Sequence, residues 1–133
     1  MRIGQVARKA GVRADTIRFY ERVGVLPRAP RHASGYRSFT EATVERILFA
    51  KSLQSLGFAL DEVVSLLREI DAGTAHCAKE QPRFAAVLAR IDERLDALRG
   101  VRRRLVRTIS LCKAGQCPLL DRKTRPRSRE QRA

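Results

Sequence analysis

Between Phe84 and Ile109, the residues Phe84, Leu88, Ile91, Leu95, Leu98, Leu105 and Ile109 fall on alternating steps of three and four, interrupted only by Arg102. Such a heptad seam demands a long helix. The rest of that helix carries Arg83, Arg90, Asp92, Glu93, Arg94, Asp96, Arg99, Arg103, Arg104 and Arg107. A core helix can show the same stripe, but one narrow apolar face on so charged a surface is explained more simply by a coiled-coil partner. The seam therefore predicts a homodimer joined through this helix.

Charge narrows the partners further. Among 133 residues, 28 are Lys or Arg and 14 are Asp or Glu, a formal net charge of +14. A balance this basic points to nucleic acid or another anionic surface. No apolar run reaches the roughly 18 residues that span a bilayer, so no membrane partner is expected. The opening MRIGQVARKAGV lacks the apolar core of a secretory signal, which makes the cytoplasm the expected location. Three cysteines in a reducing compartment argue against a disulfide framework and leave thiols or metal ligands as the options. With no Ser-His-Asp or paired-carboxylate arrangement, no phosphate-binding glycine loop, and only His32 and His76 as histidines, an enzyme is not expected.

Along the chain, Arg2 to Ala10 reads as a short helix with Ile3, Val6, Ala7 and Ala10 on one face, ended by Gly11. A second helix opens at Ala14 or Asp15, draws on Ile17, Phe19 and Tyr20, and stops at Gly24. Two short helices across a tight glycine turn describe a helix-turn-helix. The stretch VLPRAPRHASGYRSFT is a polar loop with turn chemistry at Ser34-Gly35. Thr40 is expected to cap a third helix carrying Val44, Ile47, Leu48 and Leu53; Gly57 interrupts, and Leu60 to Ile70 forms a fourth, led by Asp61 and Glu62. The long helix is expected to begin near Pro82, in its first turn. The resulting division is a winged helix-turn-helix DNA-binding domain over 1–75, a dimerisation helix over 76–111, a metal-binding loop and short helix over 112–121, and a disordered basic tail over 122–133.

The second helix and its flanks carry Arg13, Thr16, Arg18, Tyr20 and Arg22. Arginines there can pair with phosphates or with the guanine edge in the major groove, and Thr16 and the Tyr20 hydroxyl suit phosphate contacts. Tyr36 and Arg37 sit where a wing lies along the backbone or enters the minor groove. The DNA-binding candidates are thus Arg13, Thr16, Arg18, Tyr20, Tyr36 and Arg37. A nonspecific architectural binder relying on charge alone is the competing class, with steep salt dependence and no sequence preference.

The runs Ile3-Gly4-Gln5-Val6-Ala7, Gly11-Val12, Thr16-Ile17-Arg18-Phe19-Tyr20-Glu21, Gly24-Val25-Leu26-Pro27 and Gly35-Tyr36-Arg37 together resemble the MerR family of bacterial regulators. Leu56-Gly57-Phe58-Ala59-Leu60-Asp61-Glu62-Val63 is similar to that family's second helical pair. The likeness covers residues 1 to 120 approximately. It implies a mainly α fold: a winged helix-turn-helix head followed by a long antiparallel coiled-coil dimerisation helix, with an effector site at the helix end. It also implies a mechanism, in which a dimer on an over-long promoter spacer twists and kinks double-stranded DNA when effector binds, so that RNA polymerase uses the promoter.

Cys77 precedes the long helix, and Cys112 and Cys117 follow its last apolar position. If residues 77 to 112 were one straight helix, its ends would lie about 52 Å apart, so one chain cannot bring Cys77 to the other two. Antiparallel pairing about the seam's midpoint, near residue 96 or 97, sets residue 77 of one chain opposite residues 115 to 117 of the other. Cys77, Cys112 and Cys117 then make a three-thiolate site for a soft metal ion, with Lys113 and nearby arginines favouring the thiolates. Redox or electrophile sensing by Cys112 and Cys117, and a packing role for Cys77, stay open. The resemblance adds that metal-sensing members carry a cysteine pair followed by a run like Cys117-Pro118-Leu119-Leu120, and that those answering divalent ions have a cysteine where Cys77 stands. Mercury is the first choice of effector, with lead, cadmium and zinc as alternatives. His76 is a candidate fourth ligand for zinc or cadmium.

Overall fold

The computed structural model describes residues 1–31, 33–35, 37–117 and 119–120. Among these described residues five α-helices follow in order: α1 (Ile3–Ala10), α2 (Ala14–Val23), α3 (Glu41–Ser55), α4 (Leu60–Asp71) and α5 (Cys77–Lys113). The chain divides into two compact units, Met1–Val87 and Leu88–Ala133. The first turns of α5 pack with the head: Val87 is 3% exposed within its core, and the Phe84 ring meets Phe58 edge-on at 5.0 Å.

The first unit is built on inward faces at helical spacing. Val6 and Ala10 of α1, Ile17 and Tyr20 of α2, Val44, Ile47, Ala50 and Leu53 of α3, and Val63, Val64, Leu66 and Leu67 of α4 share one buried cluster. The turn between α1 and α2 needs Gly11, whose φ of 66° lies in the left-handed region. Lys51 of α3 fastens that turn, its ammonium donating to the carbonyls of Ala10 (3.1 Å) and Gly11 (3.4 Å) at the negative end of α1. Between α2 and α3 the described backbone makes a single antiparallel bridge, Arg31 with Arg37, so the expected wing is a bridged loop with no strand among the described residues.

Thr40 stands at the N-cap of α3 as expected, and its backbone N–H donates to the Thr43 hydroxyl at 3.3 Å in a capping box. One helix start differs from expectation. The long helix begins at Cys77 rather than near Pro82, which lies inside it. His76 provides the start: its Nδ1 accepts the Lys79 N–H at 3.3 Å and its carbonyl accepts the Glu80 N–H at 3.0 Å. Ion pairs around Glu69 and Glu80, described below, hold the turns on either side of the proline and offset the hydrogen bond it cannot make.

In the second unit, Leu98 and Leu105 are 64% and 58% exposed, and Leu88, Leu95 and Ile109 are exposed as well. Past the helix end, Gly115 donates to the Cys112 carbonyl at 3.0 Å and Gln116 to that of Leu111 at 2.8 Å, closing the last turn. The expected basic tail over 122–133 lies outside the described residues.

Ile47 is fully buried at the centre of the first unit. Ile47→Ala is expected to lower unfolding free energy by about 2–5 kcal/mol in urea denaturation. A loss below about 1 kcal/mol would contradict this packing.

Candidate nucleic-acid interface and thiol positions

Helix α2 turns Ile17 and Tyr20 inward and leaves Arg13, just before it, and Arg18 exposed; Thr16 is half-buried. Tyr20, expected to reach a phosphate, instead belongs to the core. It is 5% exposed, its hydroxyl donates to Gln54 Oε1 at 2.9 Å, and burial pushes its pKa up. The reason is helical geometry, since Tyr20 follows Ile17 by three positions and shares its inward face. Tyr36 lies outside the described residues.

Arg18 and Arg37 line one concave surface of about 330 Å³ together with Arg2, Ile3, Arg31 and Gly35. Four arginines from the chain start, α2 and both sides of the loop thus converge on a space suited to an anion. Arg2 and Arg31 were missed in the sequence because nothing local separates them from the other cations. The one available signal was the Ser34-Gly35 turn, which folds Arg31 back toward Arg37. The Arg31 guanidinium also donates to the Gly35 carbonyl at 3.0 Å.

Glu21 positions this cluster. Its side chain is 4% exposed, Oε1 accepts from Arg37 Nη1, and Oε2 accepts the Ala29 N–H at 2.9 Å. A buried carboxylate on α2 thereby ties the loop to the helix at two points. Elsewhere in the head, Arg46 Nε donates to the Val25 carbonyl at 2.6 Å, while its two amino groups grip Asp71 at 2.7 and 2.8 Å. That contact holds the Asp71 carboxyl below the usual carboxylate range.

Cys77 is the first residue of α5, and Cys112 is next to its last. Both are exposed, Cys117 is buried, and none is in a disulfide. Among the described residues of the single chain, no group of three His, Cys, Asp or Glu side chains stands together as a metal site. His76 is exposed, and its Nδ1 is engaged in the helix cap.

Beside Cys77 lies a charged network. Glu69 accepts from Lys79 Nζ and Arg83 Nη2, each at 3.1 Å, while Arg83 Nε reaches Glu80 Oε1 at 3.1 Å. Hydrogen bonding with the Glu80 carboxyl, then with Lys79 and Arg83, lowers the Glu69 pKa to about 2. The network fastens the start of α5 to α4.

A helix-turn-helix head, an adjacent arginine cluster and a long helix with an open apolar stripe define a transcriptional regulator rather than an enzyme. The chain belongs to the MerR family: a model described as "MerR HTH family regulatory protein" matches residues 1–70, and one described as "MerR, DNA binding" matches 44–108. It is 39% identical over 122 residues to a mercuric resistance operon regulatory protein of Serratia marcescens, covering 89% of this chain and 83% of that one. A protein of the same description from Bacillus cereus is 34% identical over 124 residues, covering 90% and 94%. Among solved structures, the transcription regulator PbrR691 of Ralstonia metallidurans, in complex with lead(II), is similar with a TM-score of 0.74 and 30% identity over 83% of this chain and 86% of that one. The regulator MerR of Bacillus megaterium, in complex with mercury(II), gives 0.69 and 31% over 94% and 100%.

Two expectations follow. Glu21→Ala lowers stability by about 1–3 kcal/mol and removes hydrogen-exchange protection from the Ala29 amide, because it strips the acceptor from a buried N–H and a half-buried guanidinium. Unchanged protection at Ala29 would refute the tie. For Glu69 the folded pKa lies below the unfolded one, so its contribution to stability is present above the ordinary carboxylate range and is lost as pH falls from about 5 toward 2. Glu69→Gln should flatten the pH dependence of the melting temperature in that window, and an unaltered slope would contradict it.

Proposed function

We propose that this chain is a soft-metal-responsive transcriptional regulator that binds a palindromic promoter as a homodimer and takes a divalent ion through the thiolates of Cys77, Cys112 and Cys117. The observation that carries the proposal is its identity of 34–39% to mercuric resistance regulators along about nine-tenths of its length. Three cysteines at the two ends of α5 are the soft ligands such an ion requires. Mercury is the preferred ion, and lead, cadmium and zinc are the alternatives.

The exposed apolar stripe of α5 supports the dimer, since a face of this kind is stable in water only when covered. With antiparallel pairing, Cys77 of one protomer joins the thiols at the far helix end of the other. In the proposed mechanism Arg13, Thr16, Arg18, Tyr36 and Arg37 grip the two half-sites, with Arg2 and Arg31 adding phosphate contacts. Metal binding then distorts the promoter DNA toward a form that RNA polymerase uses.

Titrating the reduced full-length protein with mercury, lead, cadmium and zinc, while following thiolate-to-metal absorption, tests the site. One ion per thiol cluster is expected, with Cys77→Ser weakening binding at least tenfold. Absence of tight binding by every ion, or an unaffected Cys77→Ser variant, refutes the cross-dimer site. For the dimer, Leu95→Glu is expected to shift the sedimentation coefficient to that of a monomer, and an unchanged coefficient refutes pairing through this stripe.

A further inference from the structure

The outward face of α2 is one helical stripe. Asp15, Arg18, Phe19 and Arg22 are exposed at steps of three and four, and Ile17 and Tyr20 are buried behind them. Arg22 lies over the Phe19 ring at 5.6 Å. Three of these four residues suit a nucleic acid without further argument: two cations and an apolar ring. Asp15 does not. In a chain of net charge +14, its carboxylate stands 76% exposed on the one face where phosphates would repel it. Its Oδ1 accepts from Arg18 Nη1 at 2.8 Å, and both groups remain exposed.

We infer that Asp15 determines sequence specificity: its carboxylate accepts a hydrogen bond from the exocyclic amino group of a cytosine in the major groove, with Arg18 held beside it for a neighbouring guanine. The inference rests on the reading of this chain as a promoter-binding regulator with α2 as its recognition helix. The chemistry is selective, because an acidic side chain matches the cytosine N4 donor, whereas an arginine matches the two acceptors of guanine. Pairing with Arg18 uses one carboxylate oxygen and leaves Oδ2 for a base. It also brings the carboxylate toward the DNA as part of a neutral pair, which reduces repulsion from the backbone. On random DNA no amino group rewards the negative charge, so Asp15 costs affinity there.

A carboxylate in the first turn of α2 also complements the helix dipole. The two roles predict different signs. Loss of a dipole partner weakens the helix and lowers affinity for every sequence alike. Loss of a base reader removes preference at one position per half-site and raises affinity for random DNA.

The experiment is selection of full-length wild type, Asp15→Asn and Asp15→Ala on a randomised double-stranded DNA library at one salt concentration. Fluorescence anisotropy on the selected and random duplexes follows, with thermal melts to establish that each variant is folded. Wild type is expected to favour a C·G pair at a fixed position in each half-site by roughly 10- to 100-fold. Both variants should keep the rest of the consensus, lose that preference and bind random DNA more tightly. A preference unchanged in both variants overturns the inference, as does a uniform loss of affinity across all sequences. Wild type that enriches no sequence refutes the regulator reading itself, whereas an enriched palindrome insensitive to Asp15 refutes only the role given to that residue.

Discussion

Glu21 is the constraint on which the arginine surface depends. A carboxylate 4% exposed is costly to bury unless its oxygens are satisfied, and here one meets the Arg37 guanidinium and the other a backbone N–H. Because Glu21 sits on α2, one turn beyond Ile17, the core contact that fixes the helix also fixes the carboxylate. The carboxylate in turn fixes residues 29 and 37 of the loop. Arg31, bridged to Arg37 through the backbone, comes with them. A loop with no regular strand among its described residues thus acquires a defined place through one buried charge.

The start of α5 shows the same economy. His76 caps the helix, and Glu69 gathers Lys79 and Arg83 from its first two turns. These contacts make the first turns of α5 part of the head, and Cys77 sits where they begin. The first turns of α5, which open with Cys77, are thus tied to α4 by short, directional contacts rather than joined to it by a bare linker.

Much of this was legible in the sequence, because it rests on periodicity. The helix-turn-helix spacing, the glycine at the first turn, the fourth helix and the apolar stripe of the fifth are consequences of side-chain spacing along single elements. What the sequence concealed depends on contacts between elements. Tyr20 has a hydroxyl and follows an arginine-rich run, so it reads as a phosphate contact; only packing against Gln54 of α3 reveals where that hydroxyl goes. Pro82 reads as a helix start because the stabilising cap and ion pairs lie upstream and on α4. Arg2 and Arg31 are ordinary cations until the fold brings them together, and Tyr36 falls outside the described residues.

The distribution of charge within the head bears on how selectivity arises. A net charge of +14 provides affinity for any polyanion, and affinity without selectivity would hold a regulator on the bulk of the DNA. Discrimination requires groups that reward one sequence more than they cost elsewhere. On this head Arg2, Arg31 and Arg37 converge on a space suited to an anion, and Arg18 lines that space while also belonging to the exposed stripe of α2 beside Asp15. An acidic residue in that stripe lowers the general attraction while leaving the directional contacts intact, so the gap between the right sequence and the wrong ones widens.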